Sequence, residues 1–166
     1  MDIFTEQLIK KSANKLDYFI FLVIAVFLSI ELYFSIFILG VFSIIIFAIS
    51  VYLGIKLINS RFVEFEYIIT NENITIDKII AKKSRKNVVS FNLSDVYKFE
   101  NYNKNLNLSE FKKVYKVSAS TDVWCMCFCD NQSRKTAVLF SPNEKTLNTI
   151  KPFLKRQVAV DAFGRN

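Results

Sequence analysis

A nearly uncharged stretch close to the start of the chain limits what this protein can fold into. Residues 18–55 read YFIFLVIAVFLSIELYFSIFILGVFSIIIFAISVYLGI, and Glu31 is the only formally charged residue among them. The stretch holds about twice the ~20 residues that one helix needs to cross a hydrocarbon core of ~30 Å. One continuous helix of this length would measure ~57 Å at ~1.5 Å per residue. The sequence therefore predicts two crossings joined by a tight turn.

A cleaved signal peptide is the competing interpretation, because lysines precede the apolar stretch. The stretch is much longer than the roughly 7–15 apolar residues of a signal peptide, and no small-x-small cleavage motif ends it. We therefore expect a transmembrane hairpin over residues 17–58, with Glu31 as a solvated residue near its turn. The alternative for Glu31 is a functional acid inside the membrane. Residues 1–16 are expected to form either a short amphipathic helix on the membrane surface or a frayed tail.

The basic residues predict the orientation of the hairpin. Lys10, Lys11 and Lys15 flank the first crossing, and Lys56 and Arg61 follow the second, whereas the connecting turn contains neither lysine nor arginine. Loops rich in lysine and arginine stay on the cytoplasmic side of a membrane. The sequence therefore predicts a multi-pass protein of the cell membrane with both termini in the cytoplasm.

Small residues recur at helical spacing in both crossings. In lipid, small side chains let helices approach closely, and this packing drives their association. The predicted helix-packing residues are Ala25, Ser29, Gly40, Ser43, Ser50 and Gly54. The favoured interpretation is packing within one hairpin, and the alternative is the interface of a homo-oligomer.

After the second crossing, the hydrophobic period changes from helical to two. Short stretches in which apolar and polar residues alternate are separated by polar turns, as is typical of half-buried strands. Strands are predicted to begin near residues 63, 74, 89, 115, 123 and 136, with a long surface loop over residues 101–109. The motif SPNE at residues 141–144 predicts a capped helix start with proline at the first helical position. Pro152 is expected to end or kink this helix.

This pattern predicts a membrane-proximal β-domain over residues 61–155 that ends in a helix. Residues 156–166 are expected to form a loose C-terminal tail. The short connection between the second crossing and the first strand places the predicted domain against the membrane.

Three cysteines alternate in DVWCMCFCD, residues 122–130. On a strand, the outer two would lie ~13 Å apart at ~6.6 Å for every second residue. Two thiolates on one zinc ion lie at most ~4.6 Å apart, and the chain contains no histidine to complete a site. We therefore predict that Cys125, Cys127 and Cys129 are small apolar residues of a central strand buried on both faces. No metal and no cofactor are expected.

The sequence contains no recognisable catalytic constellation. It lacks a histidine general base and shows none of the GxSxG, Walker A or HExxH motifs. We therefore expect a binding or scaffolding module and not an enzyme. A small oligomeric membrane pore, or a protein accessory to transport, is the alternative.

A basic cluster marks the predicted turn over residues 81–87. Its members are Lys82, Lys83, Arg85 and Lys86. The whole net charge of +7 lies in residues 61–166, because lysines and acids balance in residues 1–60. A basic segment beside an anionic leaflet gains ~1 kcal/mol per lysine or arginine near the surface. The cluster is therefore a candidate contact for anionic lipid or for a protein partner, and a merely solvated turn is the alternative; nucleic acid is not the expected partner.

The stretch EYIITNENITIDKIIAKKSRKNVVSFNLSDV, residues 66–96, resembles the start of bacterial pleckstrin-homology-like (PH-like) domains. Lys78 stands near the position where those domains usually carry a glycine before the basic turn. The whole chain also resembles a family of uncharacterised membrane proteins from low-GC Gram-positive bacteria. That family shares, in the same order, a lysine-bearing N-terminus, two crossings, the IDKIIAK segment and a helix start like FSPNEK.

These resemblances imply an architecture and no specific activity. The implied fold is an N-terminal transmembrane α-hairpin followed by a mainly-β, PH-like cytosolic domain, a barrel or sandwich with a C-terminal helix. Membrane lipids, a protein partner and further copies of the chain are the expected partners.

Overall fold

The computed structural model of the chain divides into two compact units. It describes residues 3–38, 42–102, 107–119, 122–130 and 132–164. The helical unit comprises Ser12–Val63 and Ile80–Lys83, and the β unit comprises Met1–Lys11, Glu64–Ile79 and Ser84–Asn166. The β unit therefore draws on both ends of the chain, whereas the sequence predicted a domain limited to residues 61–155.

Two long apolar helices dominate the helical unit. Helix α1 spans Lys15–Ile38 and helix α2 spans Phe42–Arg61. The backbone N–H of Asn14 donates to the carboxylate of Asp17 at 2.9 Å, which places a negative charge in the first turn of α1, where the helix dipole favours it. Both helices are long and apolar enough to cross a membrane.

Glu31 lies inside α1, which corrects its predicted position near the turn. The helix continues from Glu31 to Ile38, because glutamate is a good helix former and the following residues stay apolar. The hydroxyl of Ser50 on α2 donates to Glu31 Oε1 at 2.7 Å. The hairpin thus holds a polar contact between its two helices.

Two small residues of α2, Ser50 and Gly54, lie at the contact between the helices. Ser43 and Gly54 are buried, and a Cβ atom at Gly54 would lie 3.2 Å from Cγ2 of Ile24. Ala25 and Ser29 are exposed instead, and the Ser29 hydroxyl donates to the Ala25 carbonyl of its own helix at 2.9 Å. Packing within the hairpin therefore uses the face of Ile24. Gly40 lies outside the described residues.

Among the residues that the structure describes, the β unit contains two four-stranded sheets and two short α-helices. The strands are β1 Phe4–Lys10, β2 Val63–Thr70, β3 Asn73–Ile80, β4 Ser84–Asn92, β5 Val96–Asn101, β6 Lys113–Lys116, β7 Trp124–Cys129 and β8 Lys135–Phe140. The helices are α3 Glu144–Ile150 and α4 Arg156–Phe163. The sheet orders are β1-β2-β3-β4 and β5-β7-β8-β6. Strand β6 is parallel to β8, while β7 is antiparallel to both β5 and β8.

The N-terminal segment forms a strand, which corrects both expectations for residues 1–16. Strand β1 pairs antiparallel with β2 in a register that runs from Phe4 opposite Thr70 to Lys10 opposite Glu64. The side chain of Gln7 donates to the Ser141 carbonyl at 3.0 Å and accepts from the Asn143 N–H at 2.9 Å. Backbone pairing and these bonds hold the segment in the β unit.

The C-terminal end also differs from the prediction. Helix α3 begins at Glu144 with Asn143 as its N-cap, because the Asn143 side chain accepts from the Thr146 N–H at 2.8 Å. The prediction of a cap at Ser141 was therefore wrong. Pro152 follows α3 in a short 3-10 turn, as expected. The predicted loose tail forms α4 instead, whose Phe163 ring stacks 5.8 Å from the ring of Trp124.

Tyr67 of β2 links the two sheets at the centre of the core. It is fully buried, and its hydroxyl donates to the Val117 carbonyl at 2.6 Å and accepts from the Ser141 N–H at 3.2 Å. Its ring meets that of Phe140 edge to face, with 5.6 Å between centroids. Burial raises the pKa of Tyr67 to about 12, so the hydroxyl keeps its proton and remains a donor.

Candidate functional site

A tight, basic turn joins β3 to β4. The Lys83 N–H donates to the Ile80 carbonyl at 3.1 Å, and Ala81 and Lys82 have φ values of 53° and 56°. Two consecutive positive φ values define a type I′ hairpin turn, which usually carries Asn-Gly. Each non-glycine residue in this region costs about 1–2 kcal/mol. Such strain is concentrated at functional sites in proteins, which makes this turn a candidate site.

The turn is bonded to the end of α2 within the helical unit. The Ala81 N–H donates to the Phe62 carbonyl at 2.9 Å, and Phe62 directly follows the last residue of α2, Arg61. Lys82 and Lys83 are both exposed, and neither forms an ion pair within the described part of the chain. The lysines of the turn and the basic end of α2 therefore lie close together.

Arg85 has a different role from the one predicted for it. Its guanidinium lies 2.7 Å from the carboxylate of Glu66 and 4.0 Å from that of Asp77. Burial raises the pKa of Glu66, a hydrogen bond with Glu6 acts in the same direction, and the charge of Arg85 opposes them. Arg85 thus compensates a buried acid and is not a free contact for an external anion.

The four predicted basic residues therefore lie in three different environments: the turn, an ion pair with Glu66, and the exposed surface of β4. Strand β4 begins at Ser84, so the turn is shorter than the predicted loop over residues 81–87 and holds only Lys82 and Lys83. Lys86 is exposed on β4. The sequence did not single out Arg61 together with these lysines, because the hydrogen bond that brings them together joins residues far apart in the chain.

A second candidate site is a groove of about 210 Å³ in the β unit. Its lining residues come from β4, β6, the end of β7 and β8: Val88, Val89, Ser90, Lys113, Tyr115, Phe128, Asp130 and Thr136. Strands β4 and β6 each lie at the edge of their sheet. Edge strands can accept an extended polypeptide through their free backbone groups, while pockets beside them select its side chains.

The cysteine strand β7 is central in its sheet. Cys125 and Cys127 are fully buried with Ala137 and Leu139, and their sulfurs lie 3.7 Å apart. Cys129 is exposed, in contrast to the prediction that all three are buried. The hydrogen bond with Cys125, together with burial, raises the pKa of the Cys127 thiol. Among the described residues, no three or more histidine, cysteine, aspartate or glutamate side chains are grouped so as to hold a metal ion.

Comparison with known proteins identifies the family. The family model described as "Bacterial PH-like domain (DUF6106)" matches residues 1–160. Neither the curated proteins nor the solved structures contained a match to the chain. The matched range includes β1, both long helices and most of α4, so the family description covers nearly the whole chain. The resemblance predicted from the sequence is confirmed, and the chain belongs to the family of bacterial PH-like domains.

Proposed function

We propose that this protein is a membrane-anchored binding or scaffolding module and not an enzyme. In this proposal, α1 and α2 cross the cell membrane as a hairpin, both ends of the chain lie in the cytoplasm, and the PH-like domain binds a protein partner. The basic turn at Lys82 and Lys83 contacts anionic lipid and orients the domain on the inner leaflet.

The exposure of the two helices supports the membrane anchor. Almost none of the apolar stretch of either helix is buried, 0% in α1 and 6% in α2. The core helix of a soluble protein would bury one apolar face, whereas large exposed apolar surfaces mark contact with a membrane or a partner. Helix α2 has 20 residues and is ~30 Å long at ~1.5 Å per residue, which equals the hydrocarbon thickness.

The position of the basic turn is the observation that carries the lipid contact. The hydrogen bond from Ala81 to Phe62 keeps Lys82 and Lys83 beside the last turn of α2. If α2 spans the membrane, this is the level of the phospholipid headgroups, where each lysine gains ~1 kcal/mol from an anionic surface. Two such charges are sufficient to bias the orientation of a domain that is already tethered.

The groove between β4 and β6 supports the binding role of the domain. Its lining combines apolar side chains such as Val88 with polar ones such as Ser90 and Thr136. Binding sites are typically concave and combine apolar contact with a few directed polar groups. We infer that an extended segment of a protein partner adds to the edge of β4 in this groove.

The proposed topology predicts the reactivity of a native thiol. In cells with an intact inner membrane, a membrane-impermeant maleimide should leave the protein unlabelled, and after permeabilisation it should attach to one thiol per chain. Cys129 is exposed, whereas Cys125 and Cys127 are buried, and the raised pKa of Cys127 keeps it in the unreactive thiol form. A mass shift of the intact protein measures the number of labels.

Two variants control this labelling. Cys129→Ser should abolish it in permeabilised cells. Adding Gly40→Cys, which stands between α1 and α2 in the sequence, should restore it in intact cells. Labelling of Cys129 in intact cells would contradict the cytoplasmic location of the domain, and labelling of three thiols would contradict the burial of Cys125 and Cys127.

The basic turn predicts a salt-dependent approach of the domain to anionic lipid. The full chain, labelled with a fluorophore at Ser84→Cys in a Cys129→Ser background, is reconstituted in vesicles that contain quencher-labelled lipid. Adding anionic lipid should increase the quenching, and raising the salt from ~0.1 M to ~1 M should remove most of the increase, because the screening length falls from ~10 Å to ~3 Å.

A matched pair of variants decides whether the turn causes this effect. Lys82→Gln with Lys83→Gln should remove most of the anionic-lipid increase. Lys112→Gln with Lys116→Gln removes the same charge from two other exposed lysines and should preserve the increase. Equal responses of the two double variants would show that the turn has no specific role in lipid contact.

A further inference from the structure

A groove lies between α1 and α2 in the helical unit. It consists of two adjoining cavities of about 450 and 420 Å³ that share Val23, Ile24 and Leu57 in their linings. The first extends to Ser60 and Arg61 at the end of α2, and the second reaches Ser50. All other lining residues are apolar or glycine. The groove is thus apolar along its length and polar at its two ends.

The length of the groove matches one leaflet of a membrane. From Ser50 to Arg61, α2 rises ~16 Å at ~1.5 Å per residue, and half of a hydrocarbon core is ~15 Å. Gly54 lines the second cavity, and its missing side chain lets Ile24 approach the backbone of α2. The groove is therefore about as long as one acyl chain, which spans one leaflet.

The charges at one end of the groove complement a phosphate. Arg61 contacts Asp17 through Nε at 3.5 Å, which leaves 45% of its side chain exposed. The hydrogen bond from the Ala81 N–H to the Phe62 carbonyl holds the turn that carries Lys82 and Lys83 next to this end of α2. A guanidinium binds phosphate oxygens through parallel hydrogen bonds, and lysines add positive charge. Arg61, Lys82 and Lys83 thus belong to segments that meet at the same end of α2, where Asp17 is paired with Arg61.

We propose that this groove binds one anionic phospholipid, with an acyl chain between α1 and α2 and the phosphate at Arg61, Lys82 and Lys83. The inference rests on the proposed function, since a lipid enters the groove only if the hairpin is in a membrane. A helix from a second copy of the chain would complement the basic end of the groove less well than a phospholipid. Asp17, already in contact with Arg61, and Glu31 are the only acids in residues 15–61, so a second copy supplies little negative charge there.

Native mass spectrometry of the full chain in mild detergent tests this inference. Phosphatidylglycerol or phosphatidylcholine is added at equal concentration, and the retained lipid is counted. We expect one phosphatidylglycerol per chain and at least tenfold weaker retention of phosphatidylcholine. Val23→Trp, which fills the shared part of the groove, should reduce phosphatidylglycerol retention at least tenfold.

Matched controls exist for both parts of the site. Val26 is as exposed as Val23, at 49% against 48%, and lines neither cavity, so Val26→Trp should retain the lipid. Arg61→Gln should abolish the preference for phosphatidylglycerol without filling the groove, whereas Lys56→Gln on the same helix should preserve it. Arg61→Gln thereby also tests the site if Val23→Trp fails to fold.

The possible outcomes separate this inference from the proposed function. Equal retention of the two lipids, or equal retention by the Val23→Trp and Val26→Trp variants, would overturn the lipid site. Loss of a dimer, instead of loss of lipid, in the Val23→Trp variant would assign the groove to a second copy. A chain that is soluble without detergent would overturn the membrane anchor itself, whereas a chain that needs detergent but retains no lipid would overturn only the lipid site.

Discussion

Replacing Phe140 by alanine is expected to lower the free energy of unfolding of the PH-like domain by about 3–5 kcal/mol. Phe140 is fully buried at the end of β8. Its ring lies 5.6 Å from that of Tyr67 and 6.1 Å from that of Phe99, so its loss leaves a cavity among aromatic side chains. Domains are typically stable by only 5–15 kcal/mol, and this substitution alone would therefore remove a large share of the stability.

Urea unfolding of the full chain in detergent, followed by the fluorescence of Trp124, measures this effect. Trp124 is the single tryptophan of the chain and belongs to β7, so it reports on the domain and not on the helices. Phe4→Ala is the matched control, because Phe4 is 62% exposed on β1, and it should cost less than about 1 kcal/mol. Equal losses in the two variants would contradict the placement of Phe140 in the core.

Replacing Arg85 by methionine is expected to destabilise the domain by about 2–3 kcal/mol at neutral pH. Removing one partner of a buried ion pair typically costs about 3–5 kcal/mol, because the other charge remains buried and uncompensated. Glu66 is that other charge, with a side chain that is 5% exposed, whereas 57% of the Arg85 side chain is exposed. Water screens the exposed arginine, and we therefore expect a loss below the usual range.

The pH dependence of this loss has a defined sign. The pKa of Glu66 is raised above its ordinary value of 4.5, so folding favours the protonated carboxyl. This contribution to stability is fully present below pH 4.5 and is lost as the pH rises through the folded-state pKa. Without Arg85, the opposing effect on this pKa disappears and the pKa rises further. The destabilisation by Arg85→Met should therefore be large at pH 7 and small near pH 4.

Two further variants distinguish this mechanism from a simple loss of packing. Glu66→Gln combined with Arg85→Met should recover most of the stability at pH 7, because the buried charge that Arg85 compensates at 2.7 Å is then removed as well. Lys86→Met changes an exposed neighbour on the same strand and should stay within about 0.5 kcal/mol of the parent protein. A loss in Arg85→Met that is independent of pH, or that Glu66→Gln does not reduce, would refute the role of the ion pair.

The acid cluster around Glu66 illustrates why the candidate site was only partly predictable. The alternation after the second crossing predicted half-buried strands, but in β2 both Tyr67 and Glu66 are buried. Strands β1 and β3 cover β2 on both sides, and Glu66 is buried among Glu6, Asp77 and Arg85. Whether the polar face of a strand is exposed to solvent depends on such neighbours. The sequence of one strand does not identify them. The same contacts removed Arg85 from the predicted lipid-binding cluster.

The sequence alone determined the two apolar helices, most of the strands and the family. These features depend on short windows: about 20 apolar residues suffice for a membrane-length helix, and alternation over a few residues marks a strand. Polar strand β5, whose sequence is VYKFEN, was missed because it lacks regular alternation. Glu31 was misplaced because an uninterrupted apolar stretch does not indicate where its helix ends.

Only the tertiary structure decided which distant segments meet. Strand β1 enters the sheet through its pairing with β2, about 60 residues later in the chain, and α4 is held where Phe163 stacks on Trp124. The lysines of the turn reach the end of α2 through the bond between Ala81 and Phe62. Each of these contacts depends on backbone pairing or packing between residues far apart, and no local pattern encodes the partner of an edge strand or of an exposed turn.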